Sequence, residues 1–281
     1  MKLKVLIILK ERIKRLRFMR TSDYLTTKNL RIFTSLYFFI LVLVTTFLIF
    51  KFLDIPIFEL SRSFPPIIFG FFKHIIDPLS DFLDPLHVLI ICLVIILCNY
   101  NLKNLLKNPA KLNLMEKKSG FKIEKISNTF SYYSLISTHF FCSLALAGIA
   151  CNLIKYIVGV ARPKYFFFEG FERLDFFNIL HKANSFPSGH TQAAFTLAIL
   201  VMIYFKKYHF FILCFAILMG ISRIFMSMHF PSDIFFGSYL GAIVPILLYQ
   251  NIFCKKIKLY KQSGVTSLYS FSKLMYWRIF I

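Results

Sequence analysis

The sequence predicts an all-α integral membrane protein, a bundle of six transmembrane helices. Three observations predict it. Fifty-seven per cent of the 281 residues are hydrophobic, with 36 Phe among them, more apolar surface than a soluble domain of this size can hide. The apolar residues fall into continuous runs near the length a bilayer requires, about 20 residues. The basic residues fall between those runs, on alternate connections.

The runs are 32–50, 83–98 (carrying His87), 130–160 (with Lys155 near its end), 191–205, 208–226 and 234–253. Helices are expected for all six, because a lipid-exposed backbone must satisfy its own hydrogen bonds. Neither a repeat nor a low-complexity linker interrupts them. The predicted organisation is a basic cytoplasmic segment over 1–31, one membrane domain over 32–253, and a basic cytoplasmic tail over 254–281. Residues 1–31 read as a surface helix at the membrane rather than a cleavable leader: 5–9 is too short for an apolar core, and 10–20 is dense in charge. The segment 57–72 is apolar but broken by Glu59, Arg62, Pro65 and Pro66, and is expected to be interfacial or re-entrant in the first outward loop.

Orientation follows from Lys and Arg. Ten precede the first run, seven lie in 99–129, two are Lys206 and Lys207, and six follow the last run, which puts 25 of the 34 on alternate connections. Both termini are therefore expected in the cytoplasm, and the first, third and fifth loops on the opposite face. The formal net charge of +21 is assigned to anionic lipid headgroups and not to nucleic acid, because no single soluble face collects it. Cys92, Cys98, Cys142, Cys151, Cys214 and Cys254 form no CxxC pair and read as small buried hydrophobes.

Three clusters carry chemistry, all at outward ends: Lys155 to Pro163, Phe186 to Thr191, and Ser222 to Asp233. Lys155 and Arg162 are seven apart, two turns on one face if the helix persists, and would present two cations to one anion. Arg223 would join them. Arginine suits phosphate oxygens through its planar fork and lysine adds a point charge. Ser188 and the N–H groups of 188–190 open a helix, a ready anion site, and Gly189 leaves the backbone unobstructed. Asp233, four residues after His229, would fix its tautomer and leave the other ring nitrogen free to attack. His190, beside the anion-binding turn, is placed to protonate a leaving alkoxide. Together these describe phosphoryl transfer through a phosphohistidine, a scheme that calls for no metal and no cofactor.

The pattern Lys-x6-Arg-Pro, Pro-Ser-Gly-His and Ser-Arg-x5-His-x3-Asp resembles the three-part signature of the phosphatidic acid phosphatase type 2 superfamily, with every position filled between Lys155 and Asp233. The resemblance implies that His229 attacks phosphorus, Asp233 orients it and His190 protonates the leaving group. It further implies that Lys155, Arg162, Ser188, Gly189 and Arg223 hold phosphate oxygens. It implies a lipid phosphate as partner, within a bilayer, and a bacterial inner membrane with the site at the periplasmic face. The family's substrates include phosphatidic acid, phosphatidylglycerophosphate, undecaprenyl pyrophosphate and lipid A. A lipid phosphotransferase sharing the intermediate is the alternative; a non-enzymatic transporter or scaffold would need neither histidine. Oligomeric state is left open.

Outside the clusters, His74, His87, His139, His181 and His209 read as capped, paired or interfacial side chains. His181 and Lys182 lie where a headgroup contact is conceivable. Asp77, Asp81 and Asp84 have helical spacing and read as a solvated face rather than a metal cluster. Glu169, Glu172 and Asp175 form an acidic stretch that could tune headgroup choice by repulsion.

Overall fold

A computed structural model describes residues 31–82, 85–105, 109–205 and 207–280. The expected surface helix at 1–30, Asp84 and Lys206 lie outside the described residues. Among those described, the chain is helical, with no strand beyond one isolated bridge between Val160 and Leu174. Among the described residues, four helical runs are long and apolar enough to cross a membrane: Leu36–Arg62, Pro66–Tyr100, Ile123–Val158 and Pro231–Gln262. Two shorter apolar helices are Gly189–Tyr204 and His209–Phe225.

The chain divides into two compact units, Met1–Phe82 with Ala147–Ile246, and Leu83–Leu146 with Leu247–Ile281. In the first, α1 (Leu36–Arg62) runs without interruption past 50, where the apolar run ends. Hydropathy stops there because Asp54, Glu59 and Arg62 are costly in lipid. Asp54 is nevertheless fully buried and partnered within the protein, so the helix continues. It ends at Ser63–Pro65, where consecutive prolines remove backbone donors. Helix α2 (Pro66–Phe71), a π turn (Phe72–Ile76) and α3 (Asp77–Phe82) follow. The first outward loop expected over 51–82 is therefore mostly helix.

The unit also holds the end of α6 (Ile123–Val158), α7 (Pro163–Glu169), α8 (Gly189–Tyr204), α9 (His209–Phe225) and most of α10 (Pro231–Leu248). Glycines let α8, α9 and α10 approach closely. A Cβ on Gly237 would stand 2.8 Å from Ser188 O, one on Gly241 2.3 Å from Gln192 O, and one on Gly220 3.0 Å from Ile234 Cγ2. Aromatic packing closes the rest. Phe58 stacks on Phe167 with centroids 4.7 Å apart, Phe72 on Phe225 at 4.3 Å, and Phe58, Ile224 and Phe230 form a buried cluster. Arg62 donates to the carbonyls of Ile224 and Phe225 at 2.6 and 2.8 Å, satisfying acceptors that the end of α9 leaves open.

The second unit comprises α4 (Pro85–Leu105), α5 (Pro109–Ser119), the first part of α6, α11 (Cys254–Gln262) and α12 (Leu268–Phe280). Met115, Ile126, Phe130, Phe271 and Leu274 make its core. His139 is fully buried and stacks on Phe253.

Candidate active site

The site is assembled within the first unit from the three sequence clusters. Helix α6 stops at Val158 because Gly159 adopts φ +57, and a Cβ there would stand 1.7 Å from Asp175 O. Only glycine fits such a turn. The expectation that Lys155 and Arg162 share one helix face is thus corrected. Arg162 lies beyond the turn, as the N-cap residue of α7 with Pro163 at its first position. Both cations still converge, because the connecting segment is gripped from two sides. Gly159 O accepts from Asp175 N and Ala161 N donates to Arg173 O, while Arg162 N donates to Lys182 O and Ser185 N to Val160 O, all at 2.8–3.1 Å.

Lys155 and Arg162 are buried. Lys155 Nζ donates to Asn184 O at 2.9 Å, and Arg162 Nη1 approaches Met228 Sδ at 3.9 Å. Arg162 Nε is buried with no hydrogen-bond partner. Burial draws the Arg162 guanidinium below its ordinary range, with Tyr165 and Asp233 acting against that. Among the described residues neither cation is ion-paired with a carboxylate, a costly arrangement unless an anion completes it. Arg223 differs: it is ion-paired with Asp77. Asp77 is therefore not the solvated carboxylate its helical spacing suggests.

Ser188 caps α8; its Oγ accepts from Thr191 N at 3.4 Å and Thr191 Oγ1 at 2.9 Å. Its own N–H donates to Asp233 O at 3.0 Å, tying α8 to the first turn of α10. A Cβ on Gly189 would meet Cys151 and Lys155 only at ordinary contact distance, 3.9 Å. His190 is exposed in the first turn of α8.

After α9 the chain folds back, with Met228 N and His229 N both donating to Arg223 O, at 3.0 and 3.3 Å. His229 is buried. Its Nδ1 lies 3.4 Å from Asp233 Oδ2 and also 3.4 Å from Ser185 Oγ. Asp233 Oδ2 accepts from Ser185 Oγ at 2.5 Å and from Phe230 N at 2.7 Å. The carboxylate thus backs the imidazole together with a serine, and not by a short bond of its own. The imidazole is held well below its usual range, first by burial, then by Lys155, Arg162, His190 and Arg223. Lys155, Arg162, His190 and Arg223 therefore lie within electrostatic reach of His229. His181 is also lowered, chiefly by Arg162, then by burial and Lys155, so it borders the same cations, while Lys182 pairs with Glu169 at 2.7 Å.

Sequence reasoning missed three residues. Ser185 stands just before the second cluster. Asp54 accepts from Ser232 N and Oγ at 2.8 and 2.6 Å, and from Arg173 Nη2 at 2.6 Å. The guanidinium of Arg173 lies over the ring of Phe50 and faces that of Phe230. An acid just past the first apolar run was the available signal for Asp54. Among the described residues no group of three or more His, Cys, Asp or Glu side chains is placed to hold a metal ion.

Residues 136–256, which contain all eight clustered positions, match the model of the PAP2 superfamily. Asp54 and Asp77, which hold Ser232 and Arg223, lie outside the matched PAP2 region. Similar proteins include a lipid A 1-phosphatase of Rhizobium etli, 31% identical over 135 residues, covering 46% of this chain and 57% of that protein. A lipid A 1-phosphatase of Rhizobium johnstonii is also 31% identical, over 46% of this chain and 54% of its own length. The bacitracin transport permease protein BcrC of Bacillus licheniformis is 36% identical over 66 residues, 24% of this chain and 32% of that one. The chain thus spans about half the length of the first two. The crystal structure of Aquifex aeolicus LpxE is 23% identical, covering 69% of this chain and 93% of that one, with a TM-score of 0.39, too distant a likeness to weigh on the fold.

Proposed function

We propose that this protein is an integral membrane lipid phosphatase that hydrolyses a lipid phosphomonoester or pyrophosphate through a phosphohistidine. The observation that carries the reading is a buried imidazole, His229, that Asp233 and Ser185 back, with the buried cations Lys155, Arg162 and Arg223 within its electrostatic reach. A neutral nucleophile facing cations suits a tetrahedral phosphate and little else.

In this scheme His229 Nε2 attacks phosphorus and the bond to the lipid oxygen breaks. His190, as imidazolium, gives its proton to the departing alkoxide. Positive charge on the phosphorylated His229 is met by Asp233. Water then gives a proton to the now neutral His190 and attacks phosphorus, breaking the P–N bond and restoring both histidines. Lys155, Arg162 and Arg223, with the N–H groups at the start of α8, hold the nonbridging oxygens.

The PAP2 match and the two lipid A 1-phosphatases favour a lipid substrate; lipid A, a phosphoglycerolipid phosphate and undecaprenyl pyrophosphate are the candidates. Six membrane helices are proposed, with α8 and α9 as short spans of about 24–26 Å at 1.5 Å per residue. The membrane is the bacterial inner membrane, with termini in the cytoplasm and the site on the periplasmic side, as the charge distribution favours. A lipid phosphotransferase would use the same first half-reaction with an alcohol in place of water.

The test is phosphate release by detergent-purified protein from a panel of these lipids, with EDTA present and His229→Ala as blank. Release that the variant cannot match supports the reading. Release retained by His229→Ala would sink the phosphohistidine, and loss of activity with EDTA alone would overturn the metal-independent scheme.

A further inference from the structure

The segment between α7 and Ser185 carries apolar side chains that nothing in the first unit covers. Phe176, Phe177 and Ile179 are 61%, 79% and 76% exposed, and Leu180 is exposed as well. They lie outside any helix, so they are not simply the lipid face of a spanning segment. An aqueous loop would not keep such a patch.

The backbone fixes where they sit. Phe177 N donates to Ile157 O at 3.1 Å, and Asp175 N to Gly159 O at 2.8 Å. Both acceptors lie at the end of α6, a helix long and apolar enough to cross a membrane. The loop is therefore held level with the outward end of that helix. There α6 itself exposes Leu153, Tyr156 and Ile157, so the loop continues an exposed apolar surface of a helix long and apolar enough to cross a membrane. Its polar groups are turned inward on one another: Asn178 Nδ2 donates to Asp175 Oδ2, and Leu180 N to Asn178 Oδ1 at 2.7 Å. Internal satisfaction of this kind is what irregular backbone needs near hydrocarbon. Aromatic side chains at the headgroup level are the usual membrane-interface anchors. The same stretch then returns to the site, where Lys182 O accepts from Arg162 N, and Ser185 backs His229.

We propose that residues 174–180 insert Phe176, Phe177 and Ile179 into the adjoining lipid leaflet. The loop acts as an interfacial anchor that holds the mouth of the site against the surface from which a lipid phosphate arrives. The second half of this inference rests on the phosphatase reading; the insertion does not. The occupant is the bilayer itself, at the boundary between headgroup and acyl chain.

Two readouts separate the parts. Phe177→Trp is made in a Trp277→Phe background, so that it is the sole tryptophan, and placed in nanodiscs of phosphatidylcholine brominated near the head of its acyl chains. Quenching relative to unbrominated lipid is expected. Full access to aqueous acrylamide with no bromine quenching would overturn insertion and leave a soluble protein partner as the cover. The double variant Phe176→Ser with Phe177→Ser is then assayed on a long-chain lipid phosphate in vesicles and on a water-soluble aryl phosphate. The kcat/KM for the lipid should fall about ten-fold or more, through KM, with the aryl phosphate unaffected. Equal loss on both, or on neither, would overturn the delivery role. If the unaltered protein hydrolyses neither substrate, the phosphatase reading and the delivery role fall together, and the quenching result still decides insertion.

Discussion

Asp54, on α1, holds Ser232, the residue that precedes Asp233 on α10, through both of its carboxylate oxygens. Oδ1 accepts from the backbone N–H at 2.8 Å and Oδ2 from the hydroxyl at 2.6 Å. It is an N-terminal cap supplied from another helix, and Arg173 completes it. The first turn of α10, which also bears Asp233, is thereby fixed from outside the PAP2 region. Asp54→Ala leaves a largely buried guanidinium and two donors without their acceptor, a loss of about 3–5 kcal/mol for a broken buried pair. A large drop in thermal stability in detergent is expected, with Asp54→Asn intermediate because it keeps one acceptor. An unchanged unfolding temperature for the alanine variant would refute the role.

Ser185 contributes differently. Its hydroxyl donates to Asp233 Oδ2 at 2.5 Å and lies 3.4 Å from His229 Nδ1. Ser185→Ala should leave the fold intact and lower kcat about ten-fold, equivalent to about 1.4 kcal/mol of barrier. KM for an aryl phosphate should move little. A loss confined to KM would instead place Ser185 in substrate binding.

The depressed pKa of His229 makes a prediction about pH with a definite sign. In the unfolded chain its pKa is about 6.5, so below that value the unfolded state binds a proton that the folded state refuses. The stabilising contribution is present above about 6.5 and is lost as pH falls toward the depressed folded value, at up to about 1.4 kcal/mol per pH unit. Thermal unfolding in detergent should weaken on acidification below neutrality, and His229→Asn should flatten that slope. The acid limb of kcat/KM, which reports the free enzyme, should likewise lie below the value for an ordinary histidine.

Two glycine substitutions test the packing of the site's scaffold. A Cβ on Gly241 would meet the backbone oxygen of Gln192 at 2.3 Å, whereas one on Gly148 meets nothing within 4 Å. Gly241→Ala should destabilise by about 1–3 kcal/mol through overpacking, and lower activity by displacing α8 from α10. Gly148→Ala, inside α6, should stabilise by about 0.5–1 kcal/mol. Equal effects from the two would show that close approach is not what Gly241 provides.

The eight residues of the three clusters were legible because each cluster is local, and because charged side chains beside apolar runs are rare enough to stand out. The geometry between clusters was not legible. Lys155 and Arg162 are seven apart on paper, yet the left-handed turn at Gly159 removes the shared helix face and replaces it with backbone bonds to 173–175 and 182–185. Ser185, Asp54 and Asp77 act across separations of 48, 178 and 146 residues, beyond the reach of any periodicity. The helix bounds moved for the same reason: α1 passes its charged residues because a distant arginine and serine accommodate Asp54, information that a hydropathy run does not contain.

The pairing of Arg223 with Asp77 bears on turnover. On the phosphatase reading, the site already has an anion of its own, Asp77, covalently attached through α3 and always at hand. An incoming phosphate must exchange with that carboxylate, and once the lipid has left, the carboxylate competes to return. Such an internal rival discriminates against weakly held monoanions and hastens the departure of inorganic phosphate. The enzyme would then work against product accumulating at its own face of the membrane. Asp77 would contribute to the cycle by reclaiming a ligand from the product, without ever touching the reacting phosphorus.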